Sequence, residues 1–199
     1  MYKRQALSYL IGSLNFAYIV AKYKKLDISS SGSGNPGTSN VMRTIGKKYA
    51  AIVLIGDVLK GFLPLYLFDE NLLLCGFAAV IGHIYPIFYK FKGGKGVATY
   101  VGVYIAFSTL NPYSYGLFEN SYFLYLNIPL LAFFYFVIFK IFRISAIASL
   151  LTVFISNLIL FSSLNVFQDR LIVFLIFWLI VFKHSENLKR LYEGKENKF

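Results

Sequence analysis

The sequence predicts an all-α, polytopic membrane protein with about seven transmembrane helices, its N-terminus outside and its C-terminus in the cytoplasm. Of its 199 residues, 57% are hydrophobic and only 15% are charged, and the mean hydropathy is +0.61. A soluble domain of this length needs much more polar surface to cover its core. Long apolar runs and a one-sided distribution of lysine and arginine support the same fold class.

The apolar runs suit membrane helices, which need about 20 apolar residues, or fewer where neighbouring helices shield their ends. They are residues 6–21, 49–68, 72–89, 97–110, 122–139, 144–161 and 171–182. Lys3 and Arg4 precede the first run as in a signal peptide, but no small-x-small cleavage site follows it. Lys22 and Lys24 end that run like a stop signal, and we expect a retained helix.

Lysine and arginine predict the topology because basic loops are held on the cytoplasmic side. With the N-terminus outside, only Lys3, Arg4 and Arg170 lie outside, and the other basic residues of the connecting loops lie inside. The net charge of +11 is then explained by inner loops that attract anionic lipids and phosphorylated substrates, and no nucleic-acid partner is expected. The single cysteine, Cys75, excludes an intrachain disulfide.

The chain reads as one domain, 1–199, with three polar loops near residues 27–48, 90–99 and 183–196. The first loop satisfies the G-x-G-x-x-G pattern at residues 32–37, with Asp57 further along the chain. A dinucleotide site is excluded because that pattern requires a strand-turn-helix unit, whereas apolar runs flank this loop. Its small residues let backbone N–H groups converge, and a helix carrying Arg43 would suit a phosphate. An ordinary Gly/Ser-rich connection is the alternative.

The second loop, Phe91–Thr99, contains Gly93-Gly94-Lys95-Gly96. It lacks the earlier glycine and the Ser or Thr of a Walker motif, so nucleotide hydrolysis is disfavoured. Glycines and a lysine at the start of a helix form an anion cradle through N–H groups, the helix dipole and a point charge. A flexible turn flanked by snorkelling lysines is the alternative.

The third loop follows the last apolar run and places His184 and Asn187 three residues apart, on one helical face. Histidine acts as an acid or base near neutral pH, or donates to a phosphate. An incidental histidine in a basic tail is the alternative, and His83 at the end of the third run carries the same ambiguity.

Two charged residues lie within the second apolar run, where an unpaired charge costs at least about 2.5–3.5 kcal/mol. Asp57 and Lys60 are spaced i, i+3, which predicts a buried ion pair. Both a bracing role beneath the polar loops and a direct substrate contact stay open. Ser13 and Asn15 in the first run are expected to form hydrogen bonds between helices.

Five segments in combination run across nearly the whole chain: GSLNFAY, GSGNPGTSNVMRTIGKK, GDVLKG, GHIYPIFYKFKGGKGVAT and FKHSENLKRLYEGKE. In this order they resemble the PlsY family, the bacterial integral-membrane acyl-phosphate:glycerol-3-phosphate acyltransferases. The resemblance implies seven helices whose three cytoplasmic motifs converge at the inner membrane surface. It also implies acyl transfer from acyl phosphate to the 1-hydroxyl of sn-glycerol 3-phosphate, which gives lysophosphatidic acid and phosphate for phospholipid biosynthesis.

The resemblance assigns roles to particular positions. The serine and arginine of the family's first motif match Ser33 and Arg43, and the histidine and asparagine of the third match His184 and Asn187. These four are the expected catalytic residues. Substrate-binding residues are expected in both glycine loops, at Gly34, Asn35, Ser39, Asn40, Gly93, Gly94, Lys95 and Gly96.

Some positions depart from the family pattern or leave it ambiguous. Asn15 stands where proline is common, Thr38-Ser39 where Ala-Thr is common, and Lys183 where arginine is frequent. Lysine keeps the charge but loses the bidentate fork. The structurally important glutamate of the third motif matches either Glu186 or Glu196.

The loops contain no evident Ser-His-Asp set or acidic metal cluster, so we expect direct transfer without an acyl-enzyme, metal or cofactor. His184 or a substrate phosphate is the expected proton acceptor. Expected partners are acyl phosphate, glycerol 3-phosphate, membrane lipids and, as a further candidate, the enzyme that makes acyl phosphate. A transporter of phosphorylated small solutes is the main alternative, but its site should lie near the bilayer midplane. A non-catalytic scaffold is the other.

Overall fold

The structure is a computed structural model that describes residues 2–110 and 121–199. In that part of the chain the regular structure is helical, without strands, which confirms the all-α prediction. The helices are α1 (Lys3–Gly12), α2 (Phe16–Tyr23), α3 (Thr38–Thr44), α4 (Lys47–Leu67), α5 (Leu72–Ile84), a 3₁₀ helix (Ile87–Tyr89), α6 (Val97–Leu110), α7 (Ser121–Phe142), α8 (Ser145–Ser163), α9 (Phe167–Lys183) and α10 (Ser185–Tyr192).

Several of these helices are long and apolar enough to cross a membrane. Among the described residues, three meet both criteria alone: Lys47–Leu67, Leu72–Tyr89 and Ser145–Ser163. The bent pair α9 and α10 gives a fourth if it is one span, and α6 and residues 126–142 are shorter apolar helices. The count of seven spans and the orientation of the termini stay predictions.

The chain divides into two compact units, residues 1–107 and 108–199. In the first unit, α1 and α5 approach closely through glycine. A Cβ on Gly12 would overlap the backbone of Ala79, and a Cβ on Gly82 would overlap the carbonyl of Tyr9. Small residues at such contacts let helix backbones pack tightly in a membrane.

The first apolar run is not one continuous helix, which corrects the prediction for residues 6–21. It breaks between α1 and α2, where the Asn15 side chain accepts a hydrogen bond of 3.2 Å from the backbone N–H of Tyr18 and caps α2. The Ser13 hydroxyl donates to the carbonyl of Tyr9 at 2.8 Å. Both of these side-chain hydrogen bonds are local, whereas hydrogen bonds between helices were expected.

Helix α4 has two distinct faces. Asp57 and Lys60 lie on the buried face, while Ile52, Ile55 and Leu59 are 45–59% exposed on the other. An exposed apolar face of this kind suits contact with lipid. The helix therefore presents its charges to protein and its aliphatic side chains to the membrane.

In the second unit, α8 packs against both α7 and α9. Asn157 of α8 donates from its side chain to the carbonyl of Val173 in α9 at 3.1 Å. Helix α9 ends at Lys183, and α10 follows after His184 at an angle of 51°. The C-terminal residue, Phe199, donates its backbone N–H to the carbonyl of Arg143 at 2.9 Å, which ties the tail to the end of α7.

Candidate active site

The first polar loop is organised around the buried side chain of Asn40, which is 1% exposed. Its Oδ1 accepts from the backbone N–H of Ser33 at 2.9 Å. Its Nδ2 donates to the carbonyl of Ser31 at 2.9 Å and to that of Ile28 at 3.4 Å. A Cβ on Gly32 would overlap Asn40 Oδ1, and the residue has a φ of +59° that favours glycine. Asn40 therefore holds the loop in shape and leaves the Ser33 side chain exposed.

Asp27 closes the start of the same loop. Its carboxylate accepts from the hydroxyl and backbone N–H of Ser29, at 2.7 and 2.9 Å, and from the hydroxyl of Ser30 at 3.1 Å. These hydrogen bonds, the Ser29 hydroxyl first, hold the pKa of the exposed Asp27 below its usual value. Ionised Asp27 therefore stabilises this turn.

The loop leads directly into α3, as the sequence predicted. The helix begins at Thr38, contains Ser39, which is half-buried, and carries Arg43 in its last turn. Arg43 is also half-buried, as are Gly34 and Asn35 earlier in the loop. The first motif thus places a hydroxyl group, a guanidinium group and the main-chain groups of a glycine-containing turn in one short stretch.

The second motif forms the start of α6. Gly96 has a φ of +90°, in the left-handed region, and its N-terminal neighbour Lys95 is half-buried. The carbonyl of Gly96 accepts from the backbone N–H of Tyr100 at 2.8 Å, so the glycine lies immediately before the first helical turn. Lys95 therefore stands at the positive end of the α6 dipole, where an anion is favoured.

The first and second motifs meet at Gly94. A Cβ on this buried glycine would overlap Nε2 of His83, and it would lie 3.1 Å from the carbonyl oxygen of Pro36. Gly94 also donates its backbone N–H to the carbonyl of His83 at 3.2 Å. The two glycine loops therefore lie against each other within the first unit.

Sequence reasoning left His83 ambiguous, yet it lies directly behind this meeting point. Its Nδ1 is 3.6 Å from Oδ1 of Asp57, and Nζ of Lys60 is 2.8 Å from the same oxygen. The predicted ion pair between Asp57 and Lys60 is therefore present. The i, i+3 spacing signalled this pair, but no sequence spacing signalled its extension to His83.

The third motif lies in the second unit, around the junction of α9 and α10. His184 is 3% exposed, and its Nδ1 is 2.8 Å from the carbonyl oxygen of Ile180. A carbonyl only accepts, so Nδ1 carries a proton, and in neutral imidazole Nε2 then carries the lone pair. This contact fixes the orientation of the His184 ring and, when the ring is neutral, its tautomer.

Asn187 is anchored by Glu196 rather than Glu186. The Glu196 side chain is 4% exposed and accepts from Asn187 Nδ2 and from Arg190 Nε, both at 2.7 Å. Glu186 is 87% exposed and lies 3.9 Å from an Arg190 nitrogen. The tail therefore folds back on α10, and Glu196 fixes the orientation of Asn187. Which glutamate matches the family's third motif stays a prediction.

Comparisons with known proteins give one consistent result. The family model for glycerol-3-phosphate acyltransferase matches residues 5–194. A glycerol-3-phosphate acyltransferase of Aquifex aeolicus is 37% identical over 199 residues, covering 96% of this chain and 95% of its own length. Glycerol-3-phosphate acyltransferase 2 of Bacillus anthracis is 39% identical over 203 residues, with coverage of 96% and 95%.

The chain belongs to the glycerol-3-phosphate acyltransferase family.

Solved structures agree with this family. The crystal structure of PlsY, an integral membrane glycerol 3-phosphate acyltransferase, in its glycerol 3-phosphate form has a TM-score of 0.84 and 33% identity to this chain, covering 98% of this chain and 94% of that one. The lysophosphatidic acid form of PlsY has a TM-score of 0.81 and 33% identity, with coverage of 98% and 93%. The predicted family, the prediction of an acyltransferase and the integral-membrane fold are thereby confirmed.

Two sequence predictions stay open at this site. The roles of the individual site residues stay predictions, since the geometry gives their positions and not their contacts with substrate. The cytoplasmic position of the site is the second.

Among residues 2–110 and 121–199, no group of three or more His, Cys, Asp or Glu side chains is placed to hold a metal ion.

Proposed function

We propose that this enzyme transfers a fatty acyl group from acyl phosphate to the 1-hydroxyl of sn-glycerol 3-phosphate, at the cytoplasmic face of a bacterial inner membrane. The products are lysophosphatidic acid and inorganic phosphate, at the first acylation step of phospholipid biosynthesis. The observation that carries the proposal is the meeting of the two glycine loops at Gly94, beside a carbonyl of the first motif. Both loops have the small residues and cationic side chains that bind a phosphate.

The charges of the first unit suit the binding of phosphorylated substrates. Arg43 of α3 supplies a planar donor fork, and Lys95 supplies a compact cation at the start of α6. Two phosphate groups on the two substrates require such concentrated positive charge. Ser33, exposed on the loop that Asn40 holds, supplies a hydroxyl to the same loop.

The chemistry requires orientation more than activation, because an acyl phosphate is already a mixed anhydride. The glycerol oxygen attacks the acyl carbon, the bond from that carbon to the phosphate oxygen breaks, and the departing phosphate takes the electron pair. The hydroxyl proton passes to Nε2 of His184 or to the departing phosphate. Holding the hydroxyl against the acyl carbon supplies much of the rate, with N–H and cationic donors on the developing oxyanion.

Three variants test the proposal against transport and scaffold functions. Ser33→Ala, Lys95→Ala and His184→Ala are each expected to reduce formation of lysophosphatidic acid by at least about 100-fold, the scale of a lost general base or oxyanion donor. Lys22→Ala, which changes an exposed lysine at the end of α2, is the control and should retain activity. Uptake of glycerol 3-phosphate into proteoliposomes without any acylated product would instead identify a transporter.

A further inference from the structure

Asp, Lys and His side chains are buried together in the first unit and have no part in the proposed acyl transfer. Asp57 is 1% exposed, Lys60 is 2% exposed and His83 is 3% exposed. Buried ionisable groups within membrane helices are costly unless they pair with one another, and they commonly serve function. Their position directly beneath the meeting point of the two glycine loops indicates what that function is.

Asp57 is held by a cation and faces the histidine. Nζ of Lys60 is 2.8 Å from Asp57 Oδ1 and donates to the carbonyl of Leu14 at 2.6 Å, so its charge is fixed between two acceptors. Asp57 Oδ1 and His83 Nδ1 are 3.6 Å apart, and His83 Nδ1 has no other partner among the described residues. That separation is slightly beyond hydrogen-bond length, so a shift of under about 1 Å would join them.

The opposite edge of the His83 ring supports the second motif. Its Nε2 lies against Gly94, where a Cβ would overlap it. The carbonyl of the same histidine lies where a Cβ on Gly93 would be, and it accepts the backbone N–H of Gly94. Gly93 and Gly94 therefore pack against both the side chain and the backbone of His83. A larger residue at position 93 or 94 would displace the loop from His83.

We propose that His83 is a positioning residue for the glycerol 3-phosphate site. Asp57, fixed by Lys60, orients the imidazole, and the ring sets the position of Gly93 and Gly94 and hence of Lys95 beside them. The inference rests on the proposed function in one respect, that the second motif binds glycerol 3-phosphate. It assigns a role to three residues in addition to the motif positions.

The first experiment measures KM for each substrate separately in His83→Ala and His83→Gln, with whichever of palmitoyl phosphate and palmitoyl-CoA the unaltered enzyme uses. His83→Ala removes the ring against which Gly94 packs and should raise KM for glycerol 3-phosphate about tenfold. KM for the acyl donor should stay the same. His83→Gln places an amide near the position of Nε2 and should restore most of the loss.

Leu73→Ala is the matched control, because Leu73 is a buried large side chain of the same helix α5, 1% exposed. It lies ten positions before His83, which is about 15 Å along the helix. A purely structural role predicts that His83→Ala behaves like Leu73→Ala: less folded protein, a lower apparent kcat and unchanged KM values. That result would overturn the proposal.

A binding measurement separates this inference from the proposed function. Equilibrium dialysis of radiolabelled glycerol 3-phosphate needs no turnover, so an enzyme that uses neither acyl donor still tests the role of His83. If His83→Ala does not fold, the neutral pair Asp57→Asn with Lys60→Met takes its place and should weaken binding by about threefold or more, since the ring loses the fixed negative charge that faces it. Unchanged glycerol 3-phosphate binding in that double variant, or no binding by the unaltered protein, would refute the inference.

Discussion

Replacing Lys60 by methionine should strongly destabilise the protein. The change leaves the Asp57 carboxylate, 1% exposed, without the ammonium that lies 2.8 Å away, and it removes the donor to the Leu14 carbonyl. Breaking a buried ion pair by removing one partner costs about 3–5 kcal/mol. For a protein of this size that corresponds to a fall in Tm of roughly 6–20 °C.

The double variant Asp57→Asn with Lys60→Met shows how much of this loss of stability comes from leaving the Asp57 charge unpaired. It removes both charges, and the replacement of a buried pair by neutral groups is often close to neutral. The Leu14 carbonyl still lacks its donor, so we expect a residual loss of about 1–3 kcal/mol. The double variant should therefore be more stable than Lys60→Met.

The reactivity of Cys75 provides the assay of thermal unfolding. It is the only cysteine of the chain and is buried in α5, so a thiol-reactive fluorogenic dye reports unfolding in detergent without further labelling. Lys47→Met, an exposed lysine at the start of the same α4 helix, is the control and should change stability by no more than about 0.5 kcal/mol. A Tm for Lys60→Met equal to that of Lys47→Met, or a double variant as unstable as the single one, would refute the account of the pair.

Three further changes test other contacts. Glu196→Gln should cost about 1.5–3 kcal/mol of stability because it removes a buried, charged hydrogen-bond acceptor, while the exposed Glu186→Gln should stay within about 0.5 kcal/mol in the same dye assay. Asn40→Ala should reduce kcat/KM for glycerol 3-phosphate by about tenfold or more, because the N–H of Ser33 loses its acceptor, and an unchanged value would show that the loop keeps its shape without it. Asp27 has a lowered pKa in the folded protein, so its ionised form stabilises the loop above its unfolded pKa of about 3.9, and this contribution is lost as the pH falls through the folded pKa. The Tm of Asp27→Asn should thus lie below that of the unaltered protein at pH 7, and the two values should converge below pH 4; a constant difference would contradict this reading.

Features that depend on local pattern could be predicted from the sequence. Apolar runs predicted the membrane fold, and the i, i+3 spacing of Asp57 and Lys60 predicted their ion pair, because neighbours on one helical face have a fixed geometry. The helix after the first glycine loop and the helix after the second followed from the same kind of local signal. The motif residues of both loops were singled out in the same way, and their roles stay predictions.

Features that depend on packing could not be predicted. Hydropathy is insensitive to the break at Ser13–Asn15. The Asn15 cap and the Lys60 ammonium of α4, which donates to the Leu14 carbonyl, stabilise that break. The role of His83 depends on its contact with Gly94, which no spacing encodes. The choice between Glu186 and Glu196 depends on the return of the C-terminal tail, which buries one carboxylate and leaves the other in solvent.

An activity assay that identifies the acyl donor tests the central claim most directly. Purified protein, in detergent or lipid and without added metal, would be incubated with glycerol 3-phosphate and either palmitoyl phosphate or palmitoyl-CoA. We expect lysophosphatidic acid and inorganic phosphate in equal amounts from palmitoyl phosphate, and no product from palmitoyl-CoA. Product from palmitoyl-CoA alone, or none from either donor in protein whose Cys75 is protected from the dye, would contradict it.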